Sequence, residues 1–125
     1  MARSSDQLRR LNKRFAAVSQ AVRDAVRPAL EKSADQLVAA ARHLVPEDQG
    51  DLKDSIRKEA GEHELQVAVK AGDGDAFYAR WVEFGTSEQE AQPFFFPAYR
   101  LNKKPIEARI KRAVTKAIKD EWVKR

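Results

Sequence analysis

Cysteine is absent from the 125 residues, which removes disulfide bridges, thiolate nucleophiles and Cys-ligated zinc. Histidine is nearly absent: His43 and His63 stand alone, 20 positions apart, one in a predicted helix and one in a predicted hairpin. No H-E-x-x-H, nucleophile elbow, P-loop or dinucleotide fingerprint occurs. Neither enzyme activity nor a cofactor is therefore expected. Long apolar runs are missing too; none approaches the roughly 18 residues that span a bilayer. The start, Met1-Ala-Arg-Ser-Ser-Asp6, turns polar at once without the apolar stretch of a secretory signal, so synthesis and folding in a cytoplasm are expected, with no membrane. Asp73-Gly74-Asp75 does not make a calcium loop. Counting Asp73 as position one puts Phe77, Tyr78 and Phe84 where an oxygen, a glycine and a glutamate are needed, so a tight turn and no metal are expected.

What remains is sufficient for one domain, residues 1–125, and too little for two cores. Charged residues make up 34% of the chain, well above the usual quarter, which favours an elongated, helix-rich shape. The net charge of +5 is uneven: Lys103–Arg125 holds nine basic against three acidic residues, while the other 102 residues are close to neutral. A local basic surface can meet nucleic acid, an acidic protein face, or water.

The apolar periodicity predicts an α+β fold. Leu8, Leu11, Phe15, Val18 and Val22 recur at helical spacing, and Val26, Leu30, Leu37, Val38, Ala41 and Val45 continue the stripe. A helix over 5–44 is expected, capped by Ser4 or Ser5 and kinked near Pro28, or else two helices in near-continuation. After a polar loop, Leu52 and Ile56 re-enter an apolar environment. Ser55–Glu59 and the alternating Leu65, Val67 and Val69 predict two strands joined through Ala60–His63, within a 52–100 sheet-and-loop region. So few strands need the long helix to cover one face. Phe77–Phe84 reads as a short helix closed by Gly85, and Pro93–Pro97 as a short edge strand fenced by prolines. A basic helix is expected over 105–123, opened by Pro97 or Pro105, with Ile106, Ile110, Ala113, Val114, Ala117, Ile118 and Trp122 as its apolar stripe.

Three features could carry function. Phe94-Phe95-Phe96 suits core packing or a subunit interface better than nucleobase stacking, because Arg100 is the only cation within five positions and Glu88 and Glu90 flank it. Strand alternation would send Phe94 and Phe96 to one face and Phe95 to the other. Glu83 either satisfies backbone donors of the following loop or makes an inter-subunit ion pair. Lys103, Lys104, Arg109, Lys111, Arg112 and Lys116 are candidates to lie near DNA, which leaves a small DNA-binding protein as the alternative function.

Tyr78-Ala-Arg-Trp-Val-Glu-Phe-Gly-Thr86, followed by Gln92-Pro-Phe-Phe-Phe-Pro-Ala98, resembles the phage family of tail-completion and head–tail joining proteins, related to minor tail protein Z of lambda-like phages. Upstream, Val45-Pro46, Gly50-Asp-Leu52 and Ser55-Ile56 fit the same family, so the resemblance covers about residues 36–118. Phe95 departs from the pattern at a position where members vary. The resemblance implies a non-enzymatic virion protein of the neck, forming a six-fold ring against the connector or stopper, tail terminator and tail tube, with non-specific DNA contact in the channel. Its joining surface would be Glu83, Phe84, Gly85, Thr86, Glu88, Glu90, Pro93, Phe94, Phe95, Phe96 and Pro97.

Overall fold

The computed structural model describes residues 2–72, 79–87 and 90–124. The Asp73-Gly74-Asp75 turn, the first residues of the Phe77–Phe84 helix and Glu88 lie outside them. The order is α1 (Ala2–Leu44), α2 (Gly50–Ser55), β1 (Arg57–Ala60), β2 (Val67–Lys70), α3 (Ala79–Phe84) and α4 (Phe95–Val123). The fold is α+β and mostly helical.

α1 is one uninterrupted helix of 43 residues, about 65 Å long at 1.5 Å per residue. It starts at Ala2, so Ser4 and Ser5 lie within its first turns and do not cap it. Pro28 is exposed and does not end the helix; the lost backbone bond lies on the solvent side, while Val26 and Ala29 beside it are buried. α4, 29 residues and about 44 Å, packs antiparallel along α1. Buried Ala29, Ala34, Ala98 and Ala117 leave little side-chain bulk in these helices. Between them runs a polar chain. Arg109 donates to Ser33 Oγ (3.1 Å) and Gln36 Oε1 (2.6 Å), Gln36 Nε2 donates to Asn102 Oδ1 (2.7 Å), and Asn102 Nδ2 donates to the Ala98 carbonyl (2.7 Å). The three bonds that cross between the helices fix their register, because a shift of one turn would strand partly buried donors; the Asn102–Ala98 bond lies within α4 and orients the Asn102 amide.

The core lies at one end, where Ala41 and Val45 of α1 meet Leu52, Ile56, Phe94 and Ala98. Leu52 and Ile56 enter it as the sequence predicts, Leu52 from within a short helix, α2, that periodicity does not reveal, and Ile56 from its C-cap. Arg42 holds this junction by donating to the Ile56 carbonyl at 2.6 Å. The sheet has two antiparallel strands, pairing Arg57 with Lys70 and Ala60 with Val67. Gly61 is required at its turn, since a Cβ there would sit 2.4 Å from the Gln66 carbonyl oxygen. Val67 and Val69 are half-buried against α1 and α4; Leu65 precedes the strand, in the turn.

Charge pins this small sheet to α1. Lys58 reaches α1, bridging Glu31 (2.7 Å) and Asp35 (2.9 Å), while Glu59 braces the strands themselves by bridging Lys70 (2.8 Å) and Arg57 (3.0 Å). Bonds from Lys70 first, and Arg57 second, hold the Glu59 carboxyl below the ordinary carboxylate range; bonds to Glu31 first, and Asp35 second, raise Lys58 above the ordinary lysine value. Glu59 thus stabilises the fold above its unfolded pKa, and this is lost as pH falls through the lowered folded value. Lys58 does so below its unfolded pKa, and this is lost only as pH rises through the raised value.

Two outcomes are expected. Leu52→Ala, emptying a fully enclosed site, destabilises the protein by about 2–5 kcal/mol in urea unfolding. The melting temperature is flat near neutrality and falls on acidification through the carboxylate range, and Glu59→Gln makes that acid slope shallower.

Candidate functional site

Glu83 organises the region that the sequence marks out. α3 brings it to its last turn, and Gly85, at φ 79°, then reverses the chain in the left-handed region that favours glycine. The loop returns at Gln92, whose N–H donates to the Val82 carbonyl at 2.8 Å. The Glu83 carboxylate, buried at 7% exposure, then accepts the N–H groups of Phe94 (2.8 Å), Phe95 (2.9 Å) and Phe96 (2.9 Å). These are orphan donors of the first turn of α4. Pro97 has no N–H to satisfy, and Ala98 already bonds to the Phe94 carbonyl at 3.4 Å, so every donor of that turn is accounted for. An anion at this end also complements the helix dipole.

This arrangement corrects three expectations. Pro93–Pro97 is not an edge strand; the carboxylate makes it a helix start, and α4 begins at Phe95 instead of 105. Pro97 lies in the first turn and Pro105 in the interior. The three phenylalanines follow helical directions: Phe94 is buried in the core, Phe95 is half-buried, and Phe96 points outward at 47% exposure. Phe96 packs against Phe84 (64% exposed), with ring centroids 5.8 Å apart and planes inclined by 51°. Glu83 and Phe94 thus serve the chain's own fold, whereas Phe84, Phe96, Glu90 and Pro93 face outward.

A sequence model of the family described as "Bacteriophage HK97-gp10, putative tail-component" matches residues 9–85. The chain belongs to this HK97-gp10-like phage tail-component family. No curated protein and no solved structure matches it significantly. The matched span runs from α1 through α3 to Gly85, so the HK97-gp10-like region contains Glu83 but not the Phe94–Phe96 donors that it caps.

In this tail component the basic α4 is divided by packing. Arg109, grouped in sequence with the DNA-proximal candidates, faces α1 and belongs to the interhelical polar chain. Lys103 lines a cleft between α1, β2 and α4, and Lys116 pairs with Asp120 at 2.8 Å, which raises its pKa. Lys104, Lys111 and Arg112 stand exposed. His43 is exposed on α1, and His63 Nδ1 accepts the Leu65 N–H within the β1–β2 turn. Among the described residues no group of three His, Asp or Glu side chains is placed to hold a metal ion, and no helix is long and apolar enough to cross a membrane.

Glu83→Ala leaves three N–H groups without their acceptor, one of them buried, and costs about 3 kcal/mol in urea unfolding, with amide exchange fastest at the start of α4. Glu83→Gln, which keeps one acceptor oxygen, costs less.

Proposed function

We propose that this tail component is a non-enzymatic structural protein of the head–tail junction. It forms a ring of six copies that completes the tail or joins it to the head connector. It is made in the host cytoplasm and resides in the virion neck. Its partners are its own copies, the connector or stopper, the tail terminator and the tail tube. The observation that carries the reading is the Phe84–Phe96 pair, two large rings held outward by a buried cap. Its accessible surface supports a protein completed by neighbours: 9219 Å², against about 6,800 Å² for a compact monomer of this mass. The excess is larger than the roughly 1,600 Å² that a standard specific interface buries. With Glu83 and Phe94 committed internally, the joining surface reduces to Phe84, Phe96, the outward edge of Phe95 and the loop from Thr86 to Pro93.

A second reading, non-specific DNA contact, is favoured by Lys104, Lys111 and Arg112, which are exposed and make no ion pair among the described residues. It predicts affinity that falls steeply with salt.

Complementation tests the first reading. Phe84→Ser/Phe96→Ser is expected to stay folded by circular dichroism and to leave unjoined heads and tails, counted by electron microscopy, in cells infected with phage lacking the wild-type gene. Normal particles from that variant would remove the aromatic pair from the joining surface.

A further inference from the structure

α1 outruns its partner. Arg14 lies over the Trp122 ring at 3.8 Å and donates to the Trp122 carbonyl at 3.3 Å, where α4 is about to end. The same α1 face continues toward the N-terminus with none of the described residues packed over it, so Leu8 (58%) and Leu11 are exposed, as are Phe15 and, at the end of α4, Val123 (84%). This apolar tip is ringed by exposed Arg9, Arg10, Lys13 and Lys119, none in an ion pair among the described residues. The acids nearby on α4, Asp120 and Glu121, are already paired with Lys116 and Lys124, and exposed Asp6 on α1 offsets one of the four basic charges, leaving the tip net positive.

The other end has the opposite character. Glu47, Asp48, Asp51 and Asp54 are exposed and in no ion pair among the described residues; Lys53 lies among them, and Arg42 nearby is committed to the Ile56 carbonyl. The same end carries the outward Phe84 and Phe96. The length of α1 separates the two poles by about 50 Å, so no protomer can satisfy both itself.

We propose that the basic apolar tip of one copy docks on the acidic aromatic end of the next. The occupant is a second copy because this chain itself carries the complement in both charge and apolar surface. A tip-to-tip contact would set like charges together. A nucleic acid would answer the arginines but leave Leu8, Leu11 and Phe15 wet. Two different patches in contact make a heterologous interface, which closes into a ring when the rotation per copy permits. The proposal rests on the ring reading above and adds which surfaces form the contact.

Charge exchange between the poles tests it in sedimentation velocity of the full chain. Arg9→Glu/Arg10→Glu/Lys13→Glu makes both poles acidic, and Glu47→Lys/Asp48→Lys/Asp54→Lys makes both basic. Each variant, helical by circular dichroism, is expected to associate about a hundredfold more weakly than wild type. An equimolar mixture of the two is expected to regain the wild-type particle, because every tip then meets an end of opposite sign. Leu8→Ser/Leu11→Ser, which leaves the charges alone, is also expected to weaken association. If both charge variants assemble like wild type, or the mixture stays monomeric while wild type assembles, the pole contact is wrong and the ring survives. A wild type that stays monomeric at all concentrations overturns both. If such a monomer binds a short DNA duplex, and the tip variant loses that binding, the tip is a phosphate contact.

Discussion

A helix of 29 residues cannot begin against a hydrophobic core unless its first N–H groups find acceptors, and here one carboxylate supplies them. Water cannot reach Phe94, which fills the core beside Ala41, Val45, Leu52 and Ile56. Glu83 therefore decides where α4 starts, and with it which way each of the three adjacent phenylalanines points. It also ties α3 to α4 across eleven residues, so that a six-residue helix too short to persist alone acquires a fixed place. Gly85 is the geometric counterpart: its positive φ lets the chain leave α3 while Glu83 still faces back toward the returning strand of loop.

Away from that end, the protein is a two-helix hairpin with a small sheet on its side. Alanines, Val26, half-buried aliphatic side chains such as Leu30 and Ile110, and one line of polar groups, rather than a deep apolar core, hold α1 on α4. Such a seam gives register more than adhesion: the chain from Ser33 through Arg109 and Gln36 to Asn102 accepts one alignment. Surface ion pairs of the kind that hold the sheet contribute little each, so most of the stability is expected from the cluster around Leu52, Ile56 and Phe94. The opposite end has no comparable apolar cluster among the described residues and is held by the Arg14–Trp122 contact.

Much of this was legible from the residues. The stripe of α1, the two strands, the turn at Gly61, the inward Leu52 and Ile56 and the short α3 all follow from periodicity and turn chemistry. The family was legible as well, from Val82-Glu-Phe-Gly-Thr86 in its context. The start of α4 was not, because a proline-fenced aromatic run satisfies a strand and a helix start equally until its N–H acceptor is known, and that acceptor lies eleven to thirteen positions upstream. The place of Arg109 is hidden in the sequence for a related reason. Its charge is visible in sequence, but whether it faces solvent or a partner helix depends on the rotation of α4, which the long polar pairs with Ser33 and Gln36 set. Stripe periodicity also says which face of α1 is apolar, not where its cover runs out. That depends on the lengths of two helices far apart in sequence.

The bond from Gln92 N–H to the Val82 carbonyl, with the Glu83 clasp just beyond it, brings the two ends of the intervening loop together. The chain between them therefore adds or loses residues without altering the helices on either side, and each doubling of such a loop costs only about 0.6 kcal/mol in closure entropy. The fold thus separates a fixed frame, made of Glu83, Gly85 and the start of α4, from an insert whose length and composition the frame does not dictate.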